Sequence, residues 1–429
     1  MSKRELSERE IRRKKRIRSQ ILAYITLFVL LVLVFVGGFF GVRAIGKYLG
    51  DYNDRVAQAL AEAEEVASQG QTEQMQEEQT QPQTQEQAEA EENPLDELIE
   101  ALLADMTIEE KVAGMFMVTP ESITGVTTAV QAKEGTKTAL GENPVGGIIY
   151  SEKNYKSDEQ FLEMLTNTRS YSKYPVFLAV SKECGNAESF GIAATATAGE
   201  LTSAESVQEA YREIGEQLTA LGVTMNLAPV ADVVSEEGNT ALQGRTFGSD
   251  AQAAAPLVWV AAEALQETKV SAVLQKFPGE GALDESGVIA KSLEELKNSD
   301  FITYQLAIQN GVDGITVSNV KAPALTGDDT PCSLSSVIIT DILRGTLGYD
   351  GIVLTDHLSD SIVADNYTPA QAAVAAIQAG ADMLVTPTDY QAAYEGVLQA
   401  IADGTITQER IEESMYRIYR VKYKDALEN

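Results

Sequence analysis

One carboxylate stands where a parallel α/β fold places its chemistry. Asp356 directly follows the apolar run Gly351-Ile-Val-Leu-Thr, and His357 comes next. A carboxylate at the C-terminal end of a buried strand can act as a nucleophile or as a general acid or base. It can equally cap the N-terminus of the helix that follows, because aspartate is a common N-cap residue. The spacing alone leaves both interpretations open.

The sequence carries no signal for a metal or a cofactor. His357 is the single histidine of the chain, and no cluster of metal ligands accompanies it. Neither GxGxxG nor GxxxxGK[ST] is present, so we expect no nucleotide cofactor. Cys184 and Cys332 do not make a disulfide framework, although a single bridge between them stays open.

The elements around Asp356 predict a barrel. Short apolar runs rich in β-branched residues alternate with amphipathic helical stretches over about 330 residues. The predicted strands are residues 145–150, 176–180, 224–228, 271–274, 314–317, 351–354 and 383–385. The predicted helices include residues 203–221, 251–267, 368–379 and 390–402. This alternation predicts a parallel α/β fold, for which a (β/α)₈ TIM-type barrel has the right size. An open doubly wound sheet is the alternative, but it would favour a glycine-rich phosphate-binding turn.

The barrel domain is predicted to occupy residues 94–429. Thr107-Ile-Glu-Glu110 fits a helix capping box, and we interpret the following run from Lys111 to Met117 as the body of that helix.

The N-terminal segment predicts a membrane anchor. Residues 1–20 carry nine Lys or Arg against three Glu, and residues 21–42 carry no charge. Twenty-two apolar residues span about 33 Å as a helix, which matches a bilayer core. The apolar region of a cleaved signal peptide would be shorter, about 7–15 residues. The basic side is expected in the cytoplasm, so the barrel would be extracytoplasmic on a single-pass protein of the cell membrane.

A stalk and linker are predicted over residues 43–93. Residues 43–69 are rich in Ala and Glu and predict a helix. A coiled coil is the alternative, but the segment contains too few heptads to support it. Residues 71–92 are about two-thirds Gln and Glu, a composition typical of a disordered tether. The chain carries a net charge of −31, and residues 21–429 hold 24 basic and 61 acidic side chains. Such an acidic surface repels phosphate backbones, so we expect no nucleic-acid partner.

The Asp356 segment resembles the nucleophile motif of family 3 glycoside hydrolases, and residues 98–425 resemble their barrel. Further matches follow in family order: Met106-Thr-Ile-Glu-Glu-Lys-Val, Val145-Gly-Gly-Ile-Ile-Tyr, Ala220-Leu-Gly-Val-Thr-Met-Asn-Leu-Ala-Pro-Val-Ala-Asp232-Val, Gly244-Arg245-Thr-Phe-Gly248, Lys276-Phe-Pro-Gly279, Leu334-Ser335, Leu343-Arg344 and Ala379-Gly-Ala-Asp-Met383. The resemblance is to the β-N-acetylglucosaminidase (β-hexosaminidase) branch and implies that Asp356 is the nucleophile. It also implies that substrate-binding residues are Arg245, Lys276, Asp232, Glu183 and His357.

Two loops depart from the family pattern. That branch has a Lys-His-Phe-Pro-Gly-His-Gly loop leading to an Asp-x-His pair, which supplies the general acid/base. Here the segment reads Gln275-Lys276-Phe-Pro-Gly-Glu280-Gly-Ala-Leu-Asp284-Glu285-Ser and contains no histidine. The family's Asp-Gln-Glu-Gly-Gly-Arg loop appears as Ser-Lys-Glu183-Cys-Gly-Asn.

Two functions are therefore expected from the resemblance. In the first, the chain is a retaining glycosidase acting on β-linked N-acetylhexosamine or related cell-envelope glycans, with a carbohydrate as its partner. The acid/base would then be Glu280, Asp284 or Glu285, because a carboxylic acid with a raised pKa can protonate a leaving oxygen. In the second, the barrel is an inactive pseudoenzyme that binds glycans or acts as a scaffold.

Overall fold

The computed structural model describes residues 93–425, except residues 186, 235–238, 282 and 285. Eight parallel strands in this part are β1 (Phe116–Val118), β2 (Gly147–Ile149), β3 (Phe177–Val180), β4 (Met225–Asn226), β5 (Ser271–Phe277), β6 (Gly314–Val317), β7 (Ile352–Thr355) and β8 (Leu384–Val385). They form one sheet in the order β7-β6-β5-β4-β3-β2-β1-β8. Leu354 in β7 also pairs with Met383, directly before β8, which closes the sheet into a barrel. The predicted (β/α)₈ barrel is confirmed.

Helices surround the strands. They are α1 (Pro94–Asp105), α2 (Ile108–Gly114), α3 (Pro120–Thr124), α4 (Glu134–Glu142), α5 (Asp158–Tyr171), α6 (Ala204–Ala220), α7 (Ala251–Glu267), α8 (Leu293–Lys297), α9 (Phe301–Gln309), α10 (Pro323–Thr326), a π-helical segment (Val337–Thr346), α11 (Ser361–Ala364), α12 (Pro369–Ala379), α13 (Tyr390–Ala402) and α14 (Gln408–Tyr423). The ends of α7 and α13 agree with the sequence prediction, and the other two predicted helices differ by one or two residues.

The first strand corrects the sequence analysis. The capping box at Thr107 and Glu110 is present and starts α2. That helix ends at Gly114, however, and Phe116–Val118 forms β1 between β2 and β8. The run that follows Lys111, from Val112 to Val118, contains no charged residue. An apolar run of that length is compatible with either a helix or a buried strand.

The two cysteines are both buried free thiols. The bridge that the sequence left open between Cys184 and Cys332 is therefore not formed. The Cys184 thiol instead lies 3.5 Å from the Tyr211 hydroxyl.

The predicted N-terminal parts lie outside the described residues. These are the basic tail (1–20), the transmembrane helix (21–42) and almost all of the stalk and linker (43–93). Within residues 93–425, no helix is long and apolar enough to cross a membrane.

Gly146 lets β2 approach α2 closely, and we expect its replacement to destabilise the barrel. A Cβ at this position would lie 1.8 Å from the carbonyl oxygen of Gly114, a backbone atom that cannot turn aside. Gly146→Ala should therefore lower the free energy of unfolding by about 1–3 kcal/mol, as other overpacking substitutions do. Chemical denaturation of the full chain in non-ionic detergent would measure this change.

Gly141 provides the matched control. It lies in α4, is exposed, and a Cβ there would meet nothing within 4 Å. Gly141→Ala should be neutral or stabilise by up to about 1 kcal/mol, because alanine favours helix more than glycine does. Equal denaturation midpoints for the two variants would contradict the close approach at Gly146.

Candidate active site

Strand β7 delivers Asp356 to the C-terminal end of the barrel. The four residues of β7 are buried, and the Asp356 amide donates to the Val317 carbonyl at the end of β6. Its carboxylate accepts from the His357 amide at 2.9 Å and from the Lys276 ammonium at 2.8 Å. The N-cap of α11 is Asp360, whose carboxylate accepts from a backbone amide of that helix. The N-cap interpretation of Asp356 is therefore wrong.

Lys276 brings a second carboxylate beside Asp356. Its ammonium nitrogen lies 2.8 Å from Asp356 Oδ2 and 3.9 Å from Glu280 Oε1, so these two oxygens are at most 6.7 Å apart. The hydroxyl of Ser318, directly after β6, donates to the same Glu280 oxygen. The site thus contains two carboxylates on either side of one cation.

Charge and burial act in opposite directions on Lys276. Burial lowers the pKa of its ammonium, but the charges of Asp356 and Glu280 raise it more, and the pKa is raised overall. Lys276 therefore stays protonated.

A third carboxyl group, that of Asp232, is shifted toward its uncharged form. It is fully buried, and burial together with the charges of Glu280 and Asp300 raises its pKa well above the usual value. The Tyr304 hydroxyl donates to Asp232 Oδ1 at 3.2 Å, and the Tyr304 ring packs edge-on against Phe277. This environment favours the neutral form of the Asp232 carboxyl inside the barrel wall.

We expect Asp232→Asn to flatten the dependence of stability on pH. The folded protein retains a proton on Asp232 that the unfolded chain releases above a pKa of about 3.9. The stabilisation is full below that pH and is lost as the pH rises toward the folded pKa. Each unit by which the folded pKa is raised costs about 1.4 kcal/mol at high pH. Melting temperatures from pH 4 to pH 8 should therefore fall less in the variant than in the wild type.

The exposed Asp365 supplies the control for this measurement. Asp365→Asn removes one carboxylate as well, but should leave the slope of melting temperature against pH unchanged. Identical slopes in Asp232→Asn and the wild type would show that Asp232 is already ionised when folded.

Arg245 and Glu183 form a bidentate ion pair at the same end of the barrel. The Arg245 guanidinium donates from Nε to Glu183 Oε2 at 2.8 Å and from Nη2 to Oε1 at 2.6 Å. The hydrogen bonds that Arg245 donates to Glu183 raise the pKa of Arg245, and the charges of Asp232 and Glu280 add to this effect. Two residues predicted to bind substrate are thus also bound to each other.

The remaining predicted residues do not join this cluster. Asp284 is exposed and accepts hydrogen bonds from Ser286 and from the Val288 amide, which lower its pKa. Glu285 lies outside the described residues. His357 has an exposed side chain whose Nδ1 lies 2.7 Å from the Thr386 hydroxyl, so only its backbone amide contacts Asp356.

Three polar residues of the site were not predicted from the sequence. Ser318 and Asn319 directly follow β6, and Asn319 donates to the His357 carbonyl at 2.7 Å. The same criterion that selected Asp356, a polar residue at a strand end, would have selected both. Lys182 is buried, and its ammonium donates to the Ala187 carbonyl at 3.2 Å. No group of acidic, histidine or cysteine residues in the described part could hold a metal ion.

Residues 107–421 match the sequence profile of the glycosyl hydrolase family 3 N terminal domain, which covers more than half of the chain. The chain belongs to this family. Beta-hexosaminidase LpqI of Mycobacterium tuberculosis is 30% identical over 230 residues, 51% of this chain and 59% of the relative. A beta-hexosaminidase of Nitrosomonas eutropha is 28% identical over 278 residues, 61% of this chain and 79% of the relative.

Solved structures agree with the family 3 assignment. A family 3 beta-N-acetylglucosaminidase from Paenibacillus superposes with a TM-score of 0.69 at 29% identity, covering 76% of this chain and 64% of that chain. The match thus spans less than two thirds of the mycobacterial and Paenibacillus proteins. A second profile, ATP synthase B/B′ CF(0), matches residues 22–100, which is less than half of the chain and assigns no family.

Proposed function

We propose that this family 3 domain hydrolyses β-linked N-acetylhexosaminides with retention of configuration, using Asp356 as nucleophile and Glu280 as general acid/base. The observation that carries the proposal is the arrangement of both carboxylates around the Lys276 ammonium. Retaining glycosidases need two carboxyl groups about 5–5.5 Å apart. The upper bound of 6.7 Å between the two oxygens accommodates that separation.

The reaction follows from these positions in two steps. Asp356 attacks the anomeric carbon and forms an ester bond while the glycosidic C–O bond breaks, and Glu280 gives its proton to the leaving oxygen. Glu280 then takes a proton from water, whose oxygen attacks the anomeric carbon and releases Asp356 as a carboxylate. The Lys276 ammonium donates a hydrogen bond to Asp356 Oδ2 and fixes the position of that carboxylate. Arg245, already held by Glu183, lies where it can donate to sugar hydroxyls.

Glu280 is better placed than Asp284 to act as the proton donor. The hydrogen bonds that Asp284 accepts lower its pKa, which favours the ionised form. A general acid must carry a proton near the working pH. Glu280 also lies on the other side of Lys276 from the nucleophile, where it can reach a leaving oxygen, whereas Asp284 is exposed in a turn.

The pseudoenzyme alternative has no support among the relatives, whose names are those of enzymes. The substrate class in the proposal comes from the same names, beta-hexosaminidase and beta-N-acetylglucosaminidase. The two carboxylates around Lys276, Asp356 and Glu280, add support from this chain's own residues.

An assay of the full chain in non-ionic detergent tests the proposal. Aryl N-acetyl-β-glucosaminide should release its aryl alcohol, and the product sugar should first appear as the β-anomer. Aryl β-glucoside should be cleaved more slowly, because it lacks the acetamido group. Absence of release from every aryl glycoside tried, by protein that shows a cooperative melting transition, would refute the proposal.

We also propose that the barrel is extracytoplasmic and anchored by residues 21–42. The support is the charge pattern, with nine basic residues preceding an uncharged run of 22. Protease added to intact cells should release a fragment that begins within residues 71–92. Protection of the barrel until the cells are lysed would contradict this topology.

A further inference from the structure

A cavity of about 430 Å³ lies at the end of the barrel opposite to Asp356. Its wall includes Phe177 and Ser271, which begin β3 and β5, whereas Asp356 follows the last residue of β7. The C-terminal turn of α14 forms another part of the wall. The glycosidase machinery proposed above uses none of these residues.

The lining of this cavity is basic in an acidic protein. Within the described part of the chain, Asp425 is the one acidic residue of the lining. Five cationic residues also contribute to it: Arg169, Lys173, Lys269, Lys422 and Lys424. Three of them have carboxylate partners. Lys173 pairs with Glu110, Lys269 pairs with Asp425 and Lys424 pairs with Asp313. Among the described residues, Lys422 and Arg169 are thus left without a carboxylate partner in a chain whose net charge is −31.

Lys422 and Arg169 are held by backbone carbonyls and aromatic rings instead of carboxylates. Among the described residues, no carboxylate lies within ion-pair distance of either side chain. The Lys422 ammonium donates to the Pro175 carbonyl at 2.7 Å and lies over the rings of Phe177 and Tyr419, at 4.9 and 5.0 Å from their centroids. One Arg169 nitrogen, Nη2, donates to the Gly222 carbonyl at 2.9 Å.

In the described part of the chain, Lys422 has no carboxylate that offsets its burial. Burial without a compensating carboxylate lowers the pKa of its ammonium to about 7. An anion in the cavity would favour the charged form and restore the pKa toward its usual value near 10.4. The guanidinium of Arg169 has the planar fork geometry that suits oxyanions, and lysines act as additional point charges.

We propose that this cavity is a binding site for a phosphate-bearing ligand, separate from the glycosidase site. The guanidinium of Arg169 and the ammonium of Lys422, once it is protonated, match the two charges of a phosphate dianion. The volume of about 430 Å³ is in the range of small-molecule sites and exceeds the needs of a bare phosphate ion. The ligand is therefore a phosphate ester, whose organic part lies against the aromatic wall. A soluble ester and the head group of an anionic lipid share this chemistry.

Equilibrium dialysis of the full chain in non-ionic detergent tests the site, with inorganic phosphate and glycerol 3-phosphate as probes. We expect saturable binding of one equivalent, tighter for the ester. Arg169→Gln should weaken binding at least about tenfold, since hydrogen bonds to charged groups contribute roughly 1.5–3 kcal/mol. Lys297→Gln is the matched control, because it removes one exposed cation from α8, outside the cavity. It should leave binding unchanged.

Acylation of lysines at pH 8, followed by mass spectrometry, then locates the ligand. A probe at about ten times its dissociation constant should slow acylation of Lys422 about tenfold, because only a small fraction of sites stays empty. Lys297 in the same sample should react at an unchanged rate. Micelles doped with phosphatidylglycerol distinguish the two sources: protection at lower concentration than glycerol 3-phosphate indicates the lipid head group, and weaker protection indicates the soluble ester.

Two results would overturn the proposal. One is absence of saturable phosphate binding by protein that melts cooperatively. The other is equal weakening by Arg169→Gln and Lys297→Gln, which would show a general charge effect. Hydrolysis of aryl glycosides by Arg169→Gln should equal that of the wild type, so failure of this site is distinguishable from failure of the proposed activity.

Discussion

Asp356→Asn is expected to lower kcat for aryl N-acetyl-β-glucosaminide by about 10⁴-fold or more, the scale seen when a nucleophile is removed from a hydrolase. An amide nitrogen or oxygen cannot form the ester that carries the sugar between the two steps. The substitution also removes the negative charge that the Lys276 ammonium contacts at 2.8 Å. Steady-state kinetics with an aryl substrate would measure the loss. A fluorinated mechanism-based inhibitor should label Asp356 in the wild type, which peptide mass spectrometry can locate.

Asp360→Asn is the control for that substitution. Asp360 lies four residues further along the same loop and caps α11 through its side chain. Asparagine caps helices about as well as aspartate does, so the variant should keep both its fold and its activity. Wild-type turnover by Asp356→Asn, or labelling of another residue by the inhibitor, would remove Asp356 from its proposed role.

The sequence predicted the barrel because its strands and helices alternate with the right lengths. Seven of the eight strands were placed within a few residues, since each is a short apolar run followed by a polar loop. The exception, β1, directly continues the apolar run of α2. Only the pairing of Met117 with Gly147 on one side and Val385 on the other identifies it as a strand. Such pairing is a long-range contact that local periodicity does not contain.

The residues of the candidate site also differ in whether the sequence alone could identify them. Asp356 could be selected from the sequence because it follows an apolar run directly. The choice between Glu280 and Asp284 could not be made, since both are carboxylates on one loop. They differ in their tertiary partners: Glu280 accepts from Ser318 and lies near Lys276, whereas Asp284 accepts hydrogen bonds within its own turn. The ion pair of Arg245 with Glu183 likewise joins residues 62 positions apart.

Glu280→Gln is expected to separate substrates by their leaving groups. A poor leaving group needs a proton in the transition state, and a general acid typically contributes about 10²–10⁴-fold. Cleavage of a natural β-linked N-acetylglucosaminide should therefore slow by about that factor. A dinitrophenyl leaving group departs as a stable anion, so formation of the glycosyl-enzyme should be almost unchanged. Its hydrolysis still needs a base, and rapid-quench measurements should show a burst of dinitrophenol followed by a slow steady state. Added azide, which attacks without a base, should restore turnover.

Asp284→Asn makes this test specific. It changes a carboxylate of the same loop, so it should leave the ratio of rates on dinitrophenyl and natural substrates as in the wild type. The glutamine of Glu280→Gln can still accept the hydrogen bond from Ser318, so the loop should keep its position. Equal slowing of glycosyl-enzyme formation with both leaving groups would mean that Glu280 only positions other residues. If Asp284→Asn instead slows natural substrates more than dinitrophenyl substrates, Asp284 is the proton donor. Loss of the residue that protonates the leaving oxygen slows poor leaving groups more than good ones.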